Sequence, residues 1–271
     1  MNKDLLEINK LTISPKNNPK LHLVDDISFQ LKKGKTTCIV GESGSGKTLT
    51  ALAVLGLLPP AVRRVRGEIR IDGGDICGMS ESERRALRGR DVSMVFQEPM
   101  TALDPVMRID RQMLEARRRR HAARGRTGQL WCVAALDAVG IEEPERVAHS
   151  FPHELSGGMR QRVLIAMGLA ADPKLILADE PTTALDAINR RDMLETLRGA
   201  ADRGAGVLLI THDLMSAHGW ADTVAVMERG QIVEVGAAQE VLEHPKHPYT
   251  KHLLACVPRA GQSGPLGTST S

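Results

Sequence analysis

The stretch Gly41-Glu42-Ser43-Gly44-Ser45-Gly46-Lys47-Thr48 lies between two apolar runs. The run before it, residues 36–40, predicts a buried strand, and the run after it, residues 49–58, predicts a helix. Its spacing is that of G-x-x-x-x-G-K-[ST], in which glycines let backbone N–H groups curl around phosphate oxygens at a helix N-terminus. Lys47 is placed to reach the outer phosphates, and Thr48 to offer a hydroxyl to Mg²⁺. A nucleoside triphosphate site is therefore a better interpretation than a flexible Gly/Ser linker.

The composition is that of an ordinary globular protein. The chain has 271 residues, of which 42% are hydrophobic and 25% charged. No apolar run approaches the roughly 20 residues that a membrane-spanning helix needs, and the N-terminus lacks a secretory signal pattern, so we expect a cytosolic chain. The four cysteines show no zinc-ligand spacing and are interpreted as buried or incidental thiols; they are Cys38, Cys77, Cys132 and Cys256.

The net charge of +3 does not suggest a nucleic-acid partner. Arginines cluster at Arg117–Arg120, but no aromatic residues are interleaved with them. We expect this run to be a solvated helix face or loop, and no nucleic acid to be bound.

The order of the patterns indicates an α/β fold. Alternating apolar and polar positions in residues 5–35 and 67–74 predict antiparallel strands before and after the phosphate loop. Residues 98–155 read as an inserted helical subdomain, and strands alternate with helices from residue 174 to 227. The prediction is a P-loop NTPase core with a mainly parallel sheet, an N-terminal antiparallel β subdomain and an inserted α-helical subdomain.

Two further motifs carry chemistry. The apolar run 175–178 leads into Asp179 and Glu180, which places two acids at the carboxyl end of a buried strand, where ligands bind in parallel sheets. Asp179 would join the Mg²⁺ shell, and Glu180 would polarise an attacking water. The motif Leu155-Ser156-Gly157-Gly158-Met159-Arg160-Gln161 precedes an apolar run and predicts a second anion-binding helix N-terminus, which makes sense if it serves a neighbour's nucleotide.

Taken together, the ordered motifs resemble those of ATP-binding-cassette (ABC) ATPases. The resemblance covers about residues 4–258, and the order and spacing of the motifs agree with the family. Besides the phosphate loop and the two motifs above, it includes Gln97, Ala184-Leu185-Asp186 and Thr211-His212-Asp213.

The resemblance implies roles for these residues. Glu180 would be the catalytic carboxylate, His212 would contact the terminal phosphate, and Gln97 would be a lid residue touching Mg²⁺ or water, so that all three are candidate catalytic residues. The implied Mg²⁺ ligands are Thr48, Gln97 and Asp179. Asp186 would lie across a dimer interface. The residues implied to bind ATP are Gly41, Glu42, Ser43, Gly44, Ser45, Gly46, Lys47 and Thr48, with Ser156, Gly157, Gly158, Gln161 and Asp186.

Finer resemblance, in residues 95–105 and in His247-Pro248-Tyr249-Thr250, is to the ATPases of dipeptide, oligopeptide and nickel importers. It implies partners: a second ATPase subunit, identical or a paralogue, two transmembrane permease subunits, and indirectly an extracytoplasmic solute-binding protein. The chain would lie peripherally on the cytoplasmic face of the membrane. Residues 1–97 and 156–258 would form the core of a single domain, residues 98–155 its helical subdomain, and residues 259–271 a flexible tail.

Two departures from the family pattern qualify this resemblance. Residues 1–28 contain no aromatic side chain to stack on adenine, which leaves Ile13 or His22 as candidates. The C-terminal part has only Cys256 where many peptide-importer ATPases have a cysteine cluster, so we expect no iron–sulfur site and lean slightly toward nickel or a metal chelate, with dipeptides or oligopeptides as the other expected solutes. The C-terminal histidines, including His247, are expected to belong to a packed hook and not to a metal site.

The alternative within the family is a non-transport ABC ATPase that acts on nucleic acid or the ribosome. Such proteins usually carry long coiled coils, zinc modules or a second cassette, and the sequence shows none of these. A P-loop kinase or GTPase is disfavoured because no guanine-specific Asn-Lys-x-Asp appears.

Overall fold

The computed structural model describes residues 4–95, 102–118, 125–182 and 187–256. The strands within these ranges form one sheet of four strands and one of six. In chain order they are β1 Asp4–Pro15, β2 Val24–Lys32, β3 Thr36–Val40, β4 Val62–Ile71, β5 Gly74–Asp75, β6 Val92–Val95, β7 Leu175–Asp179, β8 Gly206–Thr211, β9 Thr223–Glu228 and β10 Gln231–Ala237.

The larger sheet has the strand order β10-β9-β3-β8-β7-β6, and all its neighbouring pairs are parallel except β9 and β10. The smaller sheet is antiparallel, in the order β2-β1-β4-β5. Both the mainly parallel core sheet and the antiparallel β subdomain predicted from the sequence are confirmed.

The parallel strands are buried on both faces because each face meets a different core. Side chains point alternately to opposite faces of a strand, so Leu175 and Leu177 of β7 pack into a core shared with the antiparallel sheet. Ile176 and Ala178 point the other way, into a core formed with the helices. The parallel sheet is thus held between two apolar layers.

The helices are α1 Lys47–Val54, α2 Glu81–Leu87, α3 Ile109–Arg117, α4 Gly125–Asp137, α5 Pro144–His149, α6 Gly157–Leu169, α7 Ala187–Asp202, α8 Ala238–Glu243 and α9 Pro248–Ala255. Helices α3 to α5 lie between β6 and β7 in the chain and pack on one another and on α6, as predicted for the helical subdomain. Ser80 and Glu83 form the capping box that the sequence predicts at the start of α2. The proposed domain boundaries remain predictions, and residues 257–271 lie outside the described ranges.

Three local predictions differ from the structure. The helix expected over residues 49–58 begins at Lys47 and ends at Val54. The helix expected near residues 214–220 is a 3₁₀ turn, Leu214–Ala217, which ends because His218 adopts an extended conformation with a ψ of 124°. Arg117 is not a fully solvated residue, since its guanidinium lies 4.2 Å from the centre of the Trp131 ring.

Candidate active site

The phosphate loop connects β3 to α1, as the sequence predicts. Gly46, at the N-terminus of α1, has a φ of +104°, and a β-carbon there would lie 2.8 Å from the Leu23 carbonyl oxygen. Gly44 has a φ of +81°, but a β-carbon on it would meet nothing within 4 Å. The loop is therefore closely packed against the rest of the protein at Gly46, whereas at Gly44 there is open space beside it. That space is where a phosphate group could approach the loop N–H groups.

Lys47 lies beneath this loop, with only 5% of its surface exposed. Its ammonium donates hydrogen bonds to the carbonyl oxygens of Gly41, at 2.7 Å, and Glu42, at 2.8 Å. Burial lowers the pKa of Lys47, and the negative charges of Glu180 and Asp179 oppose that shift. A buried cation bordered by open space is well suited to receive the phosphate oxygens of a nucleotide.

Two distant segments anchor the same loop. The backbone N–H of Gly230, in the turn between β9 and β10, donates to the Ser45 carbonyl at 3.0 Å. The backbone N–H of Glu42 donates to the hydroxyl of Tyr249, on α9, at 3.2 Å. The hydroxyl oxygen of Ser45 is buried and has no hydrogen-bond partner in the described part of the chain. The Tyr249 contact was missed from the sequence, where Tyr249 figured only as part of a family motif.

Thr48 and Asp179 supply the oxygen atoms that a hard cation prefers. The hydroxyl of Thr48 donates to Oδ1 of Asp179 at 3.2 Å, and Asp179 is 4% exposed. Burial raises the pKa of Asp179, and the hydrogen bond from Thr48 opposes that shift. Because a hydroxyl and a carboxylate at the phosphate loop are ligands typical of Mg²⁺ sites that also bind phosphates, these residues fit that ion.

Glu180 and His212 are brought together from the ends of neighbouring strands β7 and β8. Nδ1 of His212 lies 2.7 Å from Oε2 of Glu180. The Glu180 side chain is 11% exposed and that of His212 is 61% exposed, so the carboxylate is shielded while the imidazole faces outward. Glu180 has a φ of +48°, and its N–H donates to the Ile210 carbonyl at 2.8 Å. A carboxylate held this way can accept a proton from a water at the open edge of the sheet.

The Ser156 motif forms the N-terminus of α6. The Ser156 hydroxyl accepts a hydrogen bond from the Met159 N–H at 3.3 Å, which caps the helix. Ser156 and Gly157 are exposed, and β-carbons on Gly157 and Gly158 would meet nothing within 4 Å. This helix end is therefore accessible to a ligand or to a second chain.

Other predicted site residues are less exposed or fall outside the described ranges. Gln161 is 3% exposed, and its amide donates to the Pro181 carbonyl at 2.9 Å, which ties α6 to the segment after Glu180. Its contact with a nucleotide stays a prediction. Gln97 and Asp186 lie outside the described residues.

The structure narrows the candidates for stacking on adenine. Ile13 is completely buried in the core under the antiparallel sheet, so it offers no surface to a base. His22 is partly exposed, and its Nδ1 lies 2.7 Å from Oδ1 of Asp25. Of these two candidates only His22 has an accessible side chain, and its contact with adenine stays a prediction.

The family of the chain follows from its similarity to known proteins. The family described as ABC transporter matches residues 24–183. The chain belongs to the ABC transporter family. This ABC protein is an ATPase, and the family described as the C-terminal region of oligopeptide/dipeptide transporters matches its residues 233–269.

Individual relatives agree with this assignment. The chain is 44% identical to the oligopeptide transport ATP-binding protein OppD of Bacillus subtilis (strain 168), over 96% of this chain and 74% of that protein. It is 43% identical to the dipeptide transport ATP-binding protein DppD of the same organism, over 89% of this chain and 72% of that one. Among solved structures it resembles a dimeric post-hydrolysis state of the ATP-binding cassette MJ0796 bound to ADP and Pi, with a TM-score of 0.77, 25% identity, and coverage of 86% of this chain and 98% of the other.

Proposed function

We propose that this ABC protein is the ATP-hydrolysing subunit of an importer for oligopeptides or dipeptides. The observation that carries this proposal is the match of residues 233–269 to the C-terminal region of oligopeptide/dipeptide transporters. The similarity to OppD and DppD supports the same solute class. Of the solutes expected from the sequence, peptides have this support, and nickel or a metal chelate has no specific support from the comparisons.

The proposed chemistry is in-line attack of water on the terminal phosphorus of ATP, which gives ADP and phosphate. Lys47 and the loop N–H groups bind the phosphate oxygens, and Glu180 accepts the proton that the attacking water loses. His212 lies against Glu180, and in this proposal it would contact the phosphoryl group that is transferred. Thr48 and Asp179 would hold Mg²⁺, with Gln97 as a third candidate ligand; the ion, when bound, offsets negative charge on the phosphates.

A second copy or a paralogue completes the site in this proposal. Ser156, Gly157 and Gly158 would close over the nucleotide of the partner, with Asp186 at the interface between the two subunits. Support comes from the exposure of the α6 N-terminus and from the dimeric state of the MJ0796 cassette. Two ATP molecules would then lie between the two ATPase subunits, which couples hydrolysis to their association.

The remaining proposed partners are two transmembrane permease subunits and, through them, an extracytoplasmic solute-binding protein. In the portion of the chain covered by the structure, no helix has both the length and the apolar character to cross a membrane. We propose that the chain is attached to the cytoplasmic face of the membrane through its permease partners.

Uptake by the whole transporter tests the solute. Proteoliposomes that contain the chain with its two permeases, carry ATP on the ATPase side and have the binding protein on the other side would be offered labelled dipeptides, oligopeptides and nickel in parallel. We expect uptake of peptides that depends on ATP and is lost in Glu180→Gln. Uptake of nickel without peptides would refute the proposed solute, and purification of the chain with nucleic acid instead of permeases would refute the role in import.

Substitution of the helix start tests the shared site. Ser156→Arg places a large cation at the exposed N-terminus of α6. Ser156 is not part of the phosphate loop, residues 41–48, so the loop itself is unchanged. We expect this variant to bind ATP as the wild type does and to lose hydrolysis, because the affected nucleotide is the partner's. Unchanged ATPase activity would rule out a composite site at this helix.

A further inference from the structure

The first turns of α7 contact two different parts of the proposed site. On one side Asp192 lies 3.3 Å from the guanidinium of Arg162, on α6. On the other side Arg190 lies 2.7 Å from Asp213, the residue that follows His212. Because Ser156 caps α6, helix α7 contacts both the helix whose N-terminus is proposed to meet the partner's ATP and a residue next to His212, which is proposed to contact this chain's own ATP.

Asp213 organises the backbone that carries His212. Its Oδ2 accepts hydrogen bonds from Nη1 of Arg190 at 2.7 Å and from the Ser216 hydroxyl at 2.9 Å, and its Oδ1 accepts from the Met215 N–H at 3.0 Å. The Asp213 N–H donates to the Thr211 hydroxyl at 3.0 Å. Thr211 and Asp213, the residues on either side of His212, are thus bonded to each other, and the Asp213 carboxylate is fixed by three further hydrogen bonds.

The imidazole of His212 depends on this backbone for its position. Its side chain is 61% exposed, so packing constrains it less than it constrains the shielded Glu180 opposite. A shift of Asp213 would move the base of the His212 side chain and change the 2.7 Å contact between Nδ1 and the Glu180 carboxylate. Arg190 holds Asp213 from α7, the helix that packs against β8, whose end carries His212.

Arg162 connects α7 to the other half of the site. Its guanidinium donates to the carbonyl oxygens of Val139, at 3.1 Å, and Gly140, at 2.6 Å, and also contacts Asp192. The Arg162 side chain is 20% exposed, which shields these interactions partly from water. Arg162 thus joins α6 to α7 through Asp192, whose side chain is 50% exposed, and through Oδ1 of Asn189, which accepts a hydrogen bond from the same guanidinium.

We propose that Arg190 is a positioning residue for His212, and that α7 transmits the position of α6 to His212 through the contacts of Arg162 with Asp192 and of Arg190 with Asp213. The inference rests on the proposed composite site, in which α6 acts on the partner's nucleotide. It makes this chain's hydrolysis depend on whether its α6 is engaged by the other subunit.

A purely structural role for the Arg190 contact makes a different prediction. Asp213 is 26% exposed and Arg190 40% exposed, and a partly exposed ion pair contributes little to folding stability. If the pair only stabilised the fold, its loss would lower the melting temperature slightly and leave turnover of the folded protein unchanged. A positioning role predicts instead that turnover falls while the melting temperature changes little.

The test compares neighbouring arginines on the same helix. Arg191 pairs with Glu195 on its own helix and not with Asp213, and the two side chains are 80% and 62% exposed. In the complex with its permeases, Arg190→Gln should lower kcat about tenfold with KM for ATP within about twofold, since residues on such a link modulate coupling by amounts of this order. Arg190→Lys, which keeps the charge, should recover most of kcat, and Arg191→Gln should match the wild type. Equal activity of Arg190→Gln and Arg191→Gln would overturn the proposal.

A double-mutant cycle tests transmission through α7. Asp192→Asn weakens the contact with Arg162 and should lower kcat about threefold in the wild-type background. It should have no further effect in the Arg190→Gln background, because the link is already broken. If the double variant instead lowered kcat by the product of the two single effects, transmission through α7 would be refuted. Glu180→Gln is assayed beside these variants: if it remains active, the proposed catalytic site fails, whereas an inactive Glu180→Gln together with a normal Arg190→Gln refutes only the present inference.

Discussion

Substitution by alanine at two glycines of the phosphate loop should impair different properties: ATP binding at Gly44 and folding stability at Gly46. Both have positive φ, +81° at Gly44 and +104° at Gly46, so alanine is strained at either position by about 1–2 kcal/mol. At Gly46 the new β-carbon would also lie 2.8 Å from the Leu23 carbonyl oxygen and from the Met227 methyl group. Overpacking of this kind costs about 1–3 kcal/mol more, which brings Gly46→Ala to about 2–5 kcal/mol in the free energy of unfolding.

The consequences for function run in the opposite order. At about 2–4 °C per kcal/mol for a chain of this size, we expect Gly46→Ala to lower the melting temperature by about 4–20 °C and Gly44→Ala by about 2–8 °C. The β-carbon of Gly44→Ala would occupy the open space over the loop, where the phosphates are proposed to bind. We therefore expect Gly44→Ala to weaken ATP binding more than tenfold, about 1.4 kcal/mol or more, although its fold is nearly intact.

The assay is thermal unfolding without nucleotide, combined with calorimetric titration of a non-hydrolysable ATP analogue at a temperature where each variant is folded. Gly78→Ala is the matched control, because Gly78 has no positive φ and its β-carbon would have only an ordinary 3.5 Å contact with Asp75. The reasoning would be refuted if Gly44→Ala bound the analogue like the wild type, or if Gly44→Ala and Gly46→Ala lost equal stability.

Three further predictions concern the acids and the thiols. Glu180→Gln should lower kcat about 10²–10⁴-fold with little change in ATP affinity, because a general base is lost and the phosphate loop is kept; turnover within tenfold of the wild type would contradict this. Burial raises the pKa of Asp179 above its ordinary value of 3.8, so the folded state retains this proton to higher pH than the unfolded state does, and stability falls as pH rises through the folded pKa. Urea unfolding should show that Asp179→Asn removes this fall and is more stable than the nucleotide-free wild type at neutral pH; a difference that does not change with pH would contradict the prediction. In maleimide labelling followed by mass spectrometry, the exposed Cys256 should react in the native protein, whereas Cys38 and Cys132 should react only after denaturation, because burial raises the pKa of Cys132 to about 11 and that of Cys38 in the same direction; earlier labelling of Cys38 than of Cys256 would contradict this.

Features encoded in contiguous residues were predictable from the sequence. The phosphate loop follows an apolar strand and begins a helix, and Asp179 and Glu180 end a second such strand, so the rule for parallel sheets places them at one edge. The capping box of α2 is equally local, since Ser80 and Glu83 are three residues apart. In each case neighbouring residues contain the whole structural signal.

Contacts between distant residues were not predictable in this way. The hydrogen bond between Glu42 and Tyr249 joins residues 207 positions apart, and the pair of Arg190 and Asp213 depends on how α7 packs against the end of β8. Ile13 was a candidate for adenine because of its position in the chain, but it is fully buried in the core beneath the antiparallel sheet. Local patterns do not specify which helix crosses a strand or which distant side chain contacts it.

The contact of Tyr249 with the phosphate loop has a practical consequence for spectroscopy. Tyr249 is the only tyrosine in the chain, and its hydroxyl accepts a hydrogen bond from the N–H of Glu42. Isotope labelling of tyrosine would therefore produce the ring signals of a single residue, with no need for substitution or assignment. Those signals come from the C-terminal helix α9, yet they report on the backbone of the loop, so the unmodified protein carries its own probe of nucleotide binding.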